Sequence, residues 1–219
     1  QQKNILNIFK ENEMELKVYT GGTAGSNSYL AIDEKSNKAF IVDAGIHSSA
    51  MVDEIRQNGY KVEYLILTHG HGDHIAGVEG YRKDFPEMKV VAHFAEKDML
   101  NHPHLNFSRE ISGRPIGFDA DIYVSDGEAL QVGGLQLKFI HTPGHTKGGM
   151  CILADGLLFS GDTLFCQSIG RTDFPGGDFN EIADSIHSKL FVLPDETDVL
   201  PGHMGPTSIG YEKENNFFV

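Results

Sequence analysis

Apolar residues in this chain gather in short runs, and the runs tend to end at a glycine, an acid or a histidine. Met14 to Thr20, Ser28 to Asp33 and Ala39 to Asp43 predict three early strands. Ser48 to Asn58 predicts a helix, with Ser48 or Ser49 as its N-cap and Gly59 as its stop. Val62 to Thr68 is apolar and rich in β-branched residues, as a buried strand would be. Ile75 to Arg82 reads as the start of a helix. Apolar runs from Leu135 to Ile140, from Leu157 and from Val199 predict later strands, and Asn180 to Leu190 a helix. Glu212 to Asn216, with Phe217 and Phe218, predicts a closing helix and tail. Residues 101–120 read as an irregular insert. Strands come first and then alternate with helices, the order of an α/β fold.

A weak internal echo links the two halves. Phe40 to Gly45, a helix, and Leu65 to His69 run strand, acid, helix, strand, histidine. Leu158 to Asp162, the helix over Asn180 to Leu190, and Val199 to His203 repeat that order. Each half is expected to be a βαβ-type unit. No Pro-, Ser- or Gly-rich linker divides the 219 residues, so residues 1–219 are expected to form a single domain.

The candidate chemistry sits where these strands end. After Leu67 the chain reads Thr68-His69-Gly70-His71-Gly72-Asp73-His74, four potential metal ligands on one strand-to-helix turn. Three imidazoles and a carboxylate crowded there repel one another if charged and bury polar groups if neutral. A bound cation removes both problems, and these donors suit zinc and other divalent transition metals. Gly70 and Gly72 let the backbone turn sharply and point their neighbours inward. His145, Asp162 and His203 each follow a glycine at the end of a strand-like run. Strand ends are where ligands collect in open α/β sheets. Seven donors are too many for one tetrahedral ion and suit two, with a carboxylate shared between them.

Over nearly its whole length the chain resembles the metallo-β-lactamase fold hydrolases, and within them the glyoxalase II-like branch, the hydroxyacylglutathione hydrolases. The resemblance is carried by Ile41 to Gly45, His69 to His74, Thr142 to Thr146, Ser160 to Thr163 and Pro201 to His203. Gly170-Arg171-Thr172-Asp173-Phe174-Pro175-Gly176-Gly177-Asp178 is similar to a signature of the shorter bacterial members. The resemblance implies a four-layer αββα sandwich with the metals at one edge, between the two sheets. It implies that His69, His71 and His145 hold one metal, and Asp73, His74 and His203 the other, with Asp162 between. It makes Asp43 a residue that orients ligands, as carboxylates behind ligating imidazoles commonly do.

Composition narrows the partners. Lys plus Arg is 18 and Asp plus Glu is 31, a formal net charge of −13. Such a surface repels phosphate backbones, so no nucleic-acid partner is expected. No apolar run is long enough to span a bilayer, and Gln1 to Asn12 lacks the apolar core of a signal peptide. The two cysteines, Cys151 and Cys166, fit a reducing compartment, and the expected location is the cytoplasm. Asn106-Phe107-Ser108 matches a glycosylation sequon and is read as chance.

The expected activity follows from the metals. Two Lewis-acidic ions can lower the pKa of a shared water from 15.7 to about 7. That shift corresponds to about 12 kcal/mol of preference for hydroxide. A bridging hydroxide then attacks a carbonyl, and Asp73 is expected to orient it as well as to ligate. A thiolate needs little acid assistance to leave, because thiols have pKa values near 8.5. The expectation is a dinuclear hydrolase of small thioesters such as S-lactoylglutathione, with two divalent ions. Zinc is the expected metal, and iron and manganese accept the same donors.

Substrate-binding residues are not assignable. Phe165-Cys166-Gln167-Ser168 stands where the family's basic and tyrosine grips on glutathione lie, and only Met204 to Val219 follows His203. Arg171 reads either as a carboxylate anchor or as an ion pair with Asp173 or Asp178. Cys166 is expected to be a small buried core residue. His102 and His104 either overhang the site or are solvated. One alternative is a persulfide dioxygenase of the same fold, with a single iron on His69, His145 and Asp162 by resemblance. A β-lactamase and a non-enzymatic metal or redox protein are the others.

Overall fold

The computed structural model describes residues 14–22 and 24–219, so the expectation for Gln1 to Asn12 lies outside the described residues. The first sheet is β1 (Met14–Gly21), β2 (Ser26–Asp33), β3 (Lys38–Val42), β4 (Lys61–Ile66), β5 (Lys89–His93) and β6 (Ile122–Val124), side by side in chain order. It is antiparallel up to β3 and parallel from β3 onward. The second sheet begins with β7 (Ala129–Val132), β8 (Leu135–His141), β9 (Met150–Ala154) and β10 (Leu157–Gly161). A small hairpin, β11 (Leu164–Phe165) and β12 (Ser168–Ile169), follows. The second sheet then gains β13 (Asp198–Pro201), parallel to β10, and β14 (Thr207–Ser208) at its edge.

Strand alternation sends one face of each sheet inward. Leu16, Tyr29, Phe40, Val42 and Ile66 meet Leu137, Phe139, Ile152, Phe159 and Leu200 between the sheets. Phe159 packs edge-on against Tyr29 and Phe40, with ring centroids 5.3 and 5.9 Å away. The outer faces are equally apolar, so helices must cover them. Met51, Val52 and Ile55 of α1 (Ser49–Asn58) pack on Leu30, Ile41 and Leu65. On the other side, Ile182 of α6 (Phe179–Ser185) and Ile209 of α7 (Ile209–Asn215) pack on Cys151, Leu158 and Val199. The four-layer αββα sandwich is the expected fold.

Both β-α-β units of the sequence echo are present, as parallel β3–β4 and parallel β10–β13. Ser48 caps α1, accepting from the Met51 amide, and Gly59 closes it at φ +67°.

Three local expectations need correction. The helix expected over Ile75 to Arg82 is two, α2 (Gly72–Ile75) and α3 (Val78–Asp84). They break at Gly77, whose amide donates to the Ala44 carbonyl and where a Cβ would lie 2.4 Å from the Ile46 carbonyl carbon. The helix expected over Asn180 to Leu190 is α-helical only to Ser185 and finishes in a π-turn, Ile186–Leu190. The region 101–120 is not wholly irregular. It holds the end of α4 (Lys97–Asn101) and all of α5 (Ser108–Ser112). Asn106 is fully buried there and donates to the Met99 and Ile116 carbonyls, as a glycosylated asparagine could not.

Candidate metal centre

The turn after β4 is shaped by Asp43, at the end of the neighbouring β3. Asp43 has φ +57°, a region that Asp tolerates better than most residues. Its Oδ1 accepts from the Thr68 amide at 2.8 Å and its Oδ2 from the Thr68 hydroxyl at 2.7 Å. Oδ2 also faces His74 Nδ1 at 2.8 Å. One carboxylate therefore fixes both ends of the His69 to His74 turn and leaves His74 Nε2 turned the other way. Gly161, φ +50°, closes the facing strand end. A Cβ there would lie 2.4 Å from Thr68 Oγ1, so glycine lets the two sheets meet.

All seven sequence-predicted donors come together at this edge. They form three overlapping groups whose donor atoms lie within 4.8 Å of one another: His69, His71 and His145; His69, His74 and Asp162; Asp73, His74 and His203. His71 Nδ1 and His145 Nε2 are 2.9 Å apart, and His74 Nε2 and His203 Nε2 are 3.3 Å apart. Asp162 reaches both sides. Its Oδ1 is 3.4 Å from His74 Nε2, and its Oδ2 is 3.6 Å from both His145 Nε2 and His203 Nε2. His203 Nε2 lies 3.2 Å from Asp73 Oδ2. Outer contacts hold the rings: His145 Nδ1 donates to the Arg171 carbonyl at 2.7 Å, and His69 Nδ1 meets the Thr68 hydroxyl at 3.1 Å.

These donors suit a cation. His69 Nε2, His71 Nε2 and Asp162 Oδ1 are buried without any hydrogen-bond partner. Three orphaned polar atoms in one cluster are costly unless something satisfies them. Electrostatics agree. Burial pushes His69 well below its ordinary value and His71 down to about 3, keeping both neutral and able to ligate. Burial opposes charge on Asp73, yet His203 and His74 hold its carboxyl below the usual range. His74 is pushed up to about 10: burial lowers it, but Asp162, Asp43 and Asp73 outweigh that. Bare carboxylates thus recruit a proton to His74, the position of positive charge that a cation would take over.

Sequence reasoning missed three residues around the cluster. Glu96, in a 3-10 turn after β5, is fully buried and accepts from the amides of Gly70 and Gly148 and from the Thr146 hydroxyl. Burial raises its carboxyl, and those three donors oppose the rise. Phe107 and Phe174 stack on each other at 4.6 Å, and the Phe174 ring stands 5.6 Å from that of His71. The Phe107 ring stands 6.2 Å from that of His71, so both rings flank this donor. Phe107 stands in the left-handed region at φ +53°, and His102 and His104 are exposed.

Arg171 is the ion pair of the two readings. It makes a bidentate bridge to Asp173 at 2.7 and 2.8 Å and lies over the Phe174 ring. Asp178 instead caps α6. Cys166 is not a core residue: it is half-buried and lines a shallow surface recess with Pro206, Thr207 and Tyr211. The β11–β12 hairpin turns it away while Phe165 packs near His203.

Residues 21–203 match the metallo-β-lactamase superfamily, and the chain belongs to that family. It is 33% identical to the hydroxyacylglutathione hydrolase GloC of Haemophilus influenzae, over 88% of this chain and 92% of that one. Among solved structures it is similar to the B3 metallo-β-lactamase BLEG-1, with a TM-score of 0.86 and 36% identity over 93% of this chain and 98% of that one. It is also similar to TTHA1623 in a di-iron-bound form, with a TM-score of 0.79 and 26% identity over 92% of this chain and 99% of that one. Among the described residues no helix is long and apolar enough to cross a membrane.

Proposed function

We propose that this protein is a dinuclear metallohydrolase of small thioesters, of the glyoxalase II-like branch. The observation that carries the reading is the convergence of seven donors with three buried donor atoms left unpartnered. His69, His71 and His145 would hold one cation, Asp73, His74 and His203 the second, and Asp162 would face both. Zinc is the first choice, and a similar protein seen with two irons keeps iron open. Such ions supply Lewis acidity and bring a bound water's pKa to about 7. Residues 1–219 are read as one domain, because every donor group mixes both halves of the chain.

The chain's own residues do the rest. Asp43 fixes the His74 tautomer through Nδ1 and leaves Nε2 as the donor. Asp73, held by His203, keeps an acceptor at the centre of the cluster, where it can orient the attacking water. Phe107 and Phe174, stacked on each other, give the His71 side an apolar flank. A thiolate leaving group suits a site in which every titratable group near the reacting carbonyl is committed to ligands. GloC, at 33% identity, supports the thioester reading.

The test is thiol release from S-lactoylglutathione by the zinc-loaded protein, with Asp162→Ala alongside. Turnover at a kcat/KM on the order of 10⁴ M⁻¹s⁻¹ or more, lost in the variant, is the expected result. The similarity to BLEG-1 makes β-lactam cleavage the second reading, so nitrocefin is run in parallel. Nitrocefin turnover without thiol release would replace the thioester reading. Oxygen uptake on glutathione persulfide by the iron-loaded protein would replace hydrolysis altogether.

A further inference from the structure

The buried carboxylates behind the cluster divide their work. Asp43 grips Thr68 and His74. Glu96 touches neither. Its Oε2 accepts from the Gly70 amide at 2.9 Å, on the peptide between His69 and His71. Its Oε1 accepts from the Thr146 hydroxyl at 2.5 Å and from the Gly148 amide at 2.7 Å, on the loop that carries His145. These two loops leave different sheets, one after β4 and the other after β8. Both come close to Glu96 because glycine stands at the contact. A Cβ on Gly70 would lie 2.9 Å from Glu96 Oε2, and one on Gly148 would lie 2.4 Å from the Glu96 amide nitrogen.

We infer that Glu96 is a positioning residue that sets the separation of His69 and His71 from His145 and so tunes the affinity of that one metal site, leaving the Asp73–His74–His203 site to Asp43. The inference rests on the proposed two-metal reading. Its chemistry requires acceptors on both oxygens. Three donors point at Glu96, and two of them are backbone amides that cannot rotate away. In Glu96→Gln the side-chain NH₂ must face either Gly70 or Gly148, donor against donor. One loop has to move, and the three-histidine group opens.

The experiment titrates zinc into metal-free protein against a chromophoric chelator, for the wild type, Glu96→Gln, His71→Ala and the double variant. Melting of each metal-free protein is recorded beside it. Wild type is expected to show two affinities, and His71→Ala to lose one of them. Glu96→Gln is expected to weaken that same affinity by about 10- to 100-fold, as loss of an outer-shell partner does, and to leave the other unchanged. Adding it to His71→Ala should cost nothing further at the remaining site. If Glu96→Gln does not fold, Thr146→Val removes a single donor and should weaken the same site by a smaller factor. Equal weakening of both affinities, or none, overturns the role of Glu96. A single affinity in the wild type overturns the two-metal reading instead, a His71→Ala titration identical to wild type overturns the donor partition, and either takes the role of Glu96 with it.

Discussion

Gly202 is a place to disturb the centre without replacing a donor. It precedes His203 and is buried, with its amide on the Gly161 carbonyl at 2.8 Å. Its φ lies outside the left-handed region, so alanine fits the backbone there. Space is the only obstacle. A Cβ at Gly202 would stand 2.3 Å from Asp162 Oδ1 and 2.7 Å from His74 Cε1. An ordinary carbon–oxygen contact needs about 3.3 Å, so the Asp162 carboxylate has to retreat by roughly 1 Å. Metal–ligand distances tolerate about 0.2 Å. A displacement of that size at a reacting centre can cost about 10²-fold in rate. Overpacking costs about 1–3 kcal/mol, partly offset by about 0.4–1 kcal/mol from stiffening the unfolded chain. Gly202→Ala should therefore fold, melt within a few degrees of wild type when metal-free, lose tight binding of at least one zinc and turn over about 100-fold more slowly. Elemental analysis after dialysis against chelator, with thiol-release kinetics, reads both effects. Full occupancy and wild-type kcat in Gly202→Ala would refute the placement of Asp162 between the two sites.

Asp43→Asn is isosteric, yet its amide cannot accept from both Thr68 N–H and His74 Nδ1–H. Either His74 changes tautomer or a buried N–H is orphaned at about 1–3 kcal/mol, so zinc affinity should fall by about 10–100-fold, measured by chelator competition. Phe159→Ala, between Tyr29 and Phe40, should cost about 3–5 kcal/mol in urea unfolding. His93 is lowered to about 4 by burial and by the stacked His141 ring 3.9 Å away. The unfolded chain therefore binds the proton first, and His93 makes metal-free stability fall as pH drops from about 6.5 toward 4. His93→Gln should flatten that slope in urea midpoints taken across the window, and an unchanged slope would assign the loss to other groups.

Strands β1 to β4, β8, β10 and β13 were legible because their apolar runs show a pattern, and each donor sits where such a run stops, whereas β5, β6, β7, β9 and the two-residue strands were not read. The echo between Asp43 and Asp162 also survives as two parallel β-α-β units. Shorter elements were not legible. The four residues of α2 and five of α5 complete little more than one turn and show no period. The π-turn after Ser185 has the same apolar spacing as a helix and differs only in its hydrogen bonds. The donor partition came from resemblance, since spacing alone cannot say which of seven residues share a cation. Glu96 was invisible because its partners, Gly70, Thr146 and Gly148, are remote in sequence and two of them contribute only backbone. Phe107 was hidden by its left-handed backbone, which no propensity assigns to phenylalanine.

The two sheets are drawn from consecutive stretches of chain. The first ends at Val124 and the second begins at Ala129, so the polypeptide passes between them once. Each of the three donor groups takes two members from before that crossing and one from after it. Neither stretch owns a full coordination set. The cations would then act as a clasp across a seam, and occupancy would report whether the seam is shut. Cleaved between Ser125 and Glu128, the molecule should behave as two pieces that rejoin in proportion to available zinc. That would make a protein whose reassembly can be dialled by a metal buffer.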